Sequence, residues 1–451
     1  MKVIKFGGSS LADGAAVAQA IDIIKADPAR RVIVTSAPGK RAKADTKVTD
    51  LLIKYAAVTA VGGDAAPLQE QIFARYQAIG DYFHLPEKAL TPLRTALLAL
   101  PAGDYPDDDY QLAAFKAHGE RLNARLLAAI LNHLGIKARF LDPKEAGIIV
   151  TGTPNNATVA PETYHLLAQV KLAPDERLVV PGFFGFTLAG YIATFSRGGS
   201  DITGAILARG LGAASYENFT DVDAIFAADP HLVDQPAPIK QLTYREMREL
   251  SYAGFSVFHD EALLPAIAAK IPIQVKNTKN PAQPGTTIVS DRGFVPSRPV
   301  TGISVGKHFA ALYLHKYLLN KEAGFTLQIL QILNKYGLPY EHMPSGIDDI
   351  TIVFDATKLT PALVDELCDQ IQSTINPDRL EWLPHFALIT VVGEGMATAP
   401  TTPAEVLATL AKEQIPVLMI NQGASKIATM IGTDPADADR AVQAIYSHFF
   451  N

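Results

Sequence analysis

The first 295 residues alternate between short apolar runs and longer stretches whose apolar residues recur three and four apart. "RVIVTS" 31–36, "LVVPGFFG" 178–185, "YIATF" 191–195 and "IPIQVKN" 271–277 read as strands, as does the opening run Val3 to Phe6. "GERLNARLLAAILNHLG" 119–135 and the stretch after "KFGGSS" 5–10 have helical periodicity instead. This alternation predicts an α/β region built on a mostly parallel sheet. "SDRGFVPSRPV" 290–300, with two prolines and little apolar content, predicts a linker. Beyond it the chain repeats. "ILQILNKYGLPYEHMPSG" 329–346 aligns with "VLATLAKEQIPVLMINQG" 406–423, so that Leu330 matches Leu407, Lys335 matches Lys412, Pro339 matches Pro416 and Gly346 matches Gly423. Each copy predicts an amphipathic helix, a proline-started strand, a polar glycine turn, a second strand (350–354 and 427–431) and a further helix. Such a pair of small α+β modules is either scaffolding or a holder of a small polar ligand.

Composition narrows the class. With 451 residues, 48% of them hydrophobic and 19% charged, the chain suits two or three well-cored domains. A net charge of −6 argues against nucleic-acid and anionic-membrane partners. The single cysteine, Cys368, leaves no internal disulfide and suits a reducing compartment. No apolar run is long enough to span a membrane, and a strand begins within a few residues of Met1, so a cytoplasmic location is expected.

Two glycine-rich turns carry the chemistry. In "KFGGSS" 5–10, Lys5 stands at the end of a strand and Gly7, Gly8 and Ser9 follow. Glycine makes a tight turn cheap because it accepts positive φ. Equally, bare amides, a helix start and a lysine make an anion cradle. The spacing is neither a Walker A loop nor a dinucleotide turn. In "TFSRGGSDITGAILARGLGA" 194–213, Arg197, the turn Gly198-Gly199-Ser200 and Asp201 place a cation, N–H donors and a carboxylate together. Asp201 is either an N-cap or part of that site. Glu120 reads as an acid in the first turn of a helix, where it favours the dipole. "DYPDDDY" 104–110 reads as a solvated loop ahead of that helix, and "NFTDVDAIFAADP" 218–230 as a strand ending in an acidic turn.

Taken in order, "KFGGSS" 5–10, "SAPGK" 36–40, "KVTDLL" 47–52, "GERLNARL" 119–126, "FSRGGSD" 195–201, "TDVDAIFAADP" 220–230 and "IPIQVKNTKNP" 271–281 resemble the aspartokinase family. The duplicated tail is similar to that family's paired ACT modules. The resemblance implies an amino-acid-kinase fold over 1–295, a first ferredoxin-like ACT module over 307–375 and a second over 376–451, completed by a strand at 300–306. It implies ATP-dependent phosphorylation of the β-carboxylate of L-aspartate, the first step of lysine, threonine and methionine biosynthesis. Lys5 and Asp201 would be catalytic, Lys5 neutralising the moving phosphoryl group. Thr49, Glu120, Arg197, Gly198, Gly199 and Ser200 would hold aspartate, with Glu120 facing its ammonium group and Arg197 a carboxylate. Lys5, Gly7, Gly8, Ser9, Thr220, Asp221, Phe226, Asp229 and Lys276 would hold the nucleotide. Mg²⁺ would ride on the nucleotide phosphates, with no side-chain cage. An end-product amino acid would bind near Gly324, Phe325, Ser345, Gly346 and Asp348. The carboxylate of Asp348 favours lysine over threonine there. A homodimer or tetramer is expected.

The chain departs from the family pattern around the nucleotide. Phe226 stands where tyrosine is common, and Ser256 where lysine or arginine is, leaving Lys276 as the substitute cation; His259 and Asp260 read as a helix start. Kinases for glutamate, acetylglutamate, carbamate or UMP would share the fold. A non-catalytic amino-acid sensor would require the loss of Lys5, Arg197 or Asp201, all present here. No fused homoserine dehydrogenase is expected.

Overall fold

The computed structural model describes residues 1–196, 198–252 and 260–451. It resolves into two compact units, the first comprising Met1–Ile225, Pro238–Met247 and Ser256–Phe294, the second Phe226–Ala237, Arg248–Phe255 and Val295–Asn451.

The first unit has strands β1 Lys2–Phe6, β2 Arg30–Thr35, β3 Ala138–Phe140, a hairpin of β4 Val150–Thr153 and β5 Asn156–Val159, β6 Arg177–Pro181, a second hairpin of β7 Phe184–Phe186 and β8 Ile192–Thr194, then β9 Ser215–Thr220, β10 Gln241–Thr243, β11 Ile273–Asn277 and β12 Thr286–Val289. Eight of them form one sheet in the order β10-β12-β11-β9-β1-β2-β6-β3. The six strands from β11 to β3 are mutually parallel, and β12 pairs antiparallel with β11, so the sheet is mostly parallel, as expected. Helices α1 Gly14–Ala26, α2 Val48–Ala60, α3 Ala66–Tyr82, α4 Glu87–Leu98 and α5 Asp108–His133 build the core on one face, around Ile4, Phe6, Ile33 and Phe219. Short helices α6 Pro143–Ala146 and α7 Glu162–Leu167 precede α8 Gly199–Gly210, which covers the other face. Helix α9 Tyr244–Tyr252 follows in the chain, its residues from Arg248 onward belonging to the second unit, and then the short α10 Leu264–Ala268 in the first. The chain leaves β1 toward β2 on one side and returns as β9 on the other. Their carboxyl ends therefore flank a topological switch point, where such sheets bind ligands.

Two readings from sequence change. The run 178–185 is not one strand but β6 and β7, parted by Gly182 and Phe183, the latter at φ +80. Helix α5 begins at Asp108, capped by the Asp107 carboxylate on the Tyr110 N–H. Residues 104–107 of the acidic cluster precede the helix, as expected, while Asp108 and Asp109 form its first turn, where aspartates are favoured, so the helix opens at 108 and not at 119. Glu120 consequently lies mid-helix.

One ion network ties three strands together. Glu217 on β9 is 1% exposed and meets Lys2 of β1 at 2.9 Å and Arg30 of β2 at 2.6 Å.

In the second unit a linker leads to β13 Gly302–His315, α11 Phe325–Lys335, β14 Asp349–Asp355, α12 Pro361–Ile375, β15 Arg379–Val392, α13 Thr402–Lys412, β16 Met419–Asn421, β17 Ala428–Thr433 and α14 Ala438–Phe450. One antiparallel sheet, β14-β13-β15-β17-β16, serves both copies of the repeat. The long strand β13 is shared: residues 302–306 pair with 388–392 of β15, and Phe309–His315 pair with β14 and the first half of β15. The repeat is inexact. The second copy has strand β16 after Pro416, whereas the matching stretch in the first makes only the isolated bridges His342–Val353 and Ser345–Ile350.

Removing the carboxylate of Glu217 would leave Arg30 buried without its counter-ion, which costs about 3–5 kcal/mol. Glu217→Ala is therefore expected to lower the unfolding midpoint of the first unit in calorimetry; an unchanged midpoint would contradict this role of the network.

Candidate active site

Lys5 is the last residue but one of β1 and is 8% exposed. In the parallel register it sits beside Val34 of β2 and Asn218 of β9, on the sheet face covered by α8. Its Nζ lies 2.7 Å from Asp201 Oδ1 and 3.5 Å from Asn218 Oδ1, and Asn218 Nδ2 donates to the same Asp201 oxygen at 2.5 Å. Asp201 does not cap its helix. Gly198 is the N-cap of α8, at φ +76, and the aspartate side chain turns to the sheet. Two features let α8 come that close. A Cβ on Gly204 would stand 2.5 Å from the Tyr216 ring, and one on Gly182 would stand 2.6 Å from Ser200 Oγ.

The turn after β1 uses glycine for space rather than for left-handed backbone. Gly7 is extended at φ −70, and its N–H donates to the Phe219 carbonyl at 3.2 Å. A Cβ on Gly8 would come within 2.9 Å of the Ala37 carbonyl oxygen, because the 36–47 loop folds over this turn and the Gly39 N–H donates to the Gly8 carbonyl at 2.8 Å. A 3-10 turn, Gly8–Leu11, follows, and its first amides fall outside the turn's own hydrogen-bond ladder. Ser9 is exposed beside Gly8. The result is an ammonium group with bare amides next to it at the carboxyl edge of the sheet.

Glu120 faces the 36–47 loop from α5 and is 6% exposed. Its Oε1 accepts the Ala37 N–H at 3.0 Å, while Oε2 has no hydrogen-bond partner among the described residues. Burial pushes this carboxyl up to about 8. Lys116, one turn earlier, is a cation that acts on it in the opposite direction; its ammonium lies 5.6 Å over the ring of Phe183, and burial pushes its own pKa down. The positive φ of Phe183 is costly for an aromatic residue, on the order of 1–3 kcal/mol, and a Cβ on Gly199 would collide with that ring. Thr49, half-buried in the first turn of α2, ends the same loop.

The remaining expected residues divide. Thr220 and Asp221 end β9 at the switch point, the threonine hydroxyl donating to the exposed aspartate at 3.1 Å. Lys276 is on the opposite sheet face from Lys5, its ammonium 6.0 Å over the Phe219 ring. Phe226 and Asp229 cluster with the second unit, and Asp229 accepts the His231 N–H at 2.8 Å within its own turn. Arg197, Ser256 and His259 lie outside the described residues. In the second unit Gly324 begins α11 at φ +86 and Phe325 is buried behind it. Ser345 and Gly346 are exposed, and Asp348 accepts the Leu318 N–H at 2.9 Å. Sequence reading passes over Asn218. Its signal is a polar pair, Glu217 and Asn218, inside a strand-sized run that a parallel sheet would bury.

Similar proteins have the same organisation. The amino acid kinase family matches residues 1–277 and an ACT domain matches 389–449. Aspartokinase 3 of Bacillus subtilis is 47% identical over 450 residues, covering 100% of this chain and 99% of the relative. The crystal structure of the aspartate kinase of Clostridium acetobutylicum superposes with a TM-score of 0.87 at 36% identity, over 100% of both chains. That of Escherichia coli aspartokinase III with aspartate and ADP gives 0.78 at 25% identity, again over 100% of both, and a second structure of it holds lysine and aspartate. The chain belongs to the aspartokinase family, a group of amino acid kinases whose catalytic region is followed by ACT modules.

Proposed function

We propose that this chain transfers the γ-phosphoryl group of ATP to the β-carboxylate of L-aspartate. The observation that carries the reading is the pairing of Lys5 with Asp201 beside the bare turn Gly7–Gly8. The attacking carboxylate is already ionised at pH 7, so the protein needs no strong base. What the transfer requires is in-line positioning and relief of charge on the transferred group. Lys5, held by Asp201 and Asn218, supplies a cation aimed at the phosphoryl oxygens, and the Gly8 and Ser9 amides donate to them. Asp201 fixes the ammonium group rather than attacking. Mg²⁺ bound with the nucleotide would supply further neutralisation of phosphate charge. The oxygen donors at the end of β9, Thr220 and Asp221, suit an ion that takes one or two protein ligands.

Glu120 suits the substrate ammonium. Its Oε2 lacks a partner among the described residues, and a buried carboxyl kept largely protonated at pH 7 ionises when a cation arrives. Arg197 and Ser200 take the α-carboxylate in this reading, and Thr49 closes the loop side. The tail binds an end-product amino acid near Gly324 and Asp348, lysine before threonine, and inhibits the kinase; the lysine-bound relative supports that choice. A homodimer or tetramer is the assembly that goes with it.

An ATP-dependent hydroxamate assay decides the acceptor. Hydroxamate is expected with aspartate and not with glutamate or N-acetylglutamate, and lysine is expected to suppress it; equal product from glutamate would contradict the assignment. The Glu120 role has a pH signature. Its raised pKa means the ammonium-binding carboxylate is gained as pH climbs through about 8. The KM for aspartate is therefore expected to fall from pH 7 to pH 8.5, roughly over the range where ionisation proceeds. Glu120→Gln should lose that slope and raise KM about 10–100-fold, the worth of a charge-assisted hydrogen bond. The same shift has a stability sign: the protonated folded form is favoured, so stability from this group is present below its unfolded pKa and lost as pH rises to about 8.

A further inference from the structure

We infer that Arg75, on α3 and remote from every motif, is a positioning residue that latches the 36–47 loop over the Gly7–Gly8 turn and so holds the aspartate subsite in shape; the inference rests on the acceptor reading above. Arg75 is 5% exposed. One guanidinium reaches both ends of the loop. Nη2 donates to the Gly39 carbonyl at 2.5 Å, Nη1 donates to the Thr46 carbonyl at 2.9 Å, and Nη1 lies 3.2 Å from Asp45 Oδ2. Arg41 grips the same Asp45 carboxylate and, with Arg75 behind it, holds that group well below the usual carboxylate range.

The loop so held touches each part of the site. Its Gly39 N–H binds the Gly8 carbonyl, its Ala37 N–H binds Glu120, and the Ser36 N–H binds the Phe6 carbonyl. Gly39 has no room to slide, since a Cβ there would lie 2.6 Å from the Gly8 carbonyl carbon. Thr49 lies just beyond Thr46 in the chain. A movement of the loop therefore shifts the Glu120 partner, the turn beside Lys5 and Thr49 together. A buried guanidinium is an expensive way to fill space, and an apolar side chain would stabilise α3 at least as well. The planar fork, however, spans two carbonyls and a carboxylate, which a lysine ammonium cannot do in one position. A cavity of about 270 Å³, lined by Asp13, Arg41, Arg75, Ile79 and Tyr82 among others, adjoins the guanidinium and gives a small cation a way in.

The test uses the full chain with Arg75→Met, read by backbone hydrogen exchange and by steady-state kinetics. Exchange of the amides at 37–49 is expected to quicken about tenfold or more, as for loss of two charge-assisted bonds, while amides of the second unit keep their rates. The KM for aspartate is expected to rise about tenfold with the KM for ATP within about twofold, and millimolar guanidinium chloride to restore part of the loss. Arg75→Lys should fall between the two. Unchanged exchange at 37–49 overturns the latch, and faster exchange with an unchanged aspartate KM overturns its role at the subsite. Should Arg75→Met fail to fold, Asp45→Asn loosens the same latch and is expected to move both readouts in the same direction; no change in either overturns the inference. If the unaltered chain does not phosphorylate aspartate, the acceptor reading fails, while exchange at 37–49 still decides the latch.

Discussion

Everything at the site depends on one buried ion pair, Lys5 with Asp201. An ammonium at the end of a central strand cannot stay charged without a partner, because the desolvation of a lone cation costs several kcal/mol. The partner must come from across the sheet face, from the first turn of α8. This demand sets the small residues around it: Gly204 under Tyr216, Gly182 under Ser200, and the left-handed Gly198 that starts the helix. Asn218 completes the arrangement, with its amide nitrogen on Asp201 and its oxygen toward Lys5.

Two buried charges are treated oppositely within one cleft edge. Lys5 has its counter-ion built in, in the Asp201 carboxylate. Glu120 has a single amide on one oxygen and none of the described residues on the other, so burial drives it toward its neutral form. In the proposed reaction the first arrangement would present positive charge to each incoming nucleotide. The second suits a group whose partner arrives with the substrate and leaves with the product. Phe183, held at positive φ, lies against both Lys116 and the Gly199 turn, and its strain marks where the backbone is bent to bring β6 and α8 together.

Much of this is legible in the chain. The glycine turns at 7–8 and 198–199, the parallel sheet and the duplicated tail all follow from local pattern, because turn chemistry and periodicity are local. What depends on distance in sequence is not. Glu120 reads as a helix-start acid because the acidic run before it resembles a loop. The helix instead starts at that run, with Asp107 as its cap, and Glu120 falls on the inward side with Ala113, Ala117 and Ala124. Arg75 and Asn218 carry no motif, and only the folded loop and the strand register give them meaning. Lys276 reads as a phosphate cation, yet register puts it across the sheet from Lys5. A period of two along β11 decides the face, and the sequence alone does not show where that strand begins.

The measurement that bears most directly on the central claim is the turnover of Lys5→Met at saturating aspartate and ATP, with folding checked by its thermal unfolding midpoint. Loss of a preorganised cation at the transferring group is expected to lower kcat by about 10²–10³-fold or more in a protein that still folds. A folded Lys5→Met chain turning over at close to the unaltered rate would contradict the account.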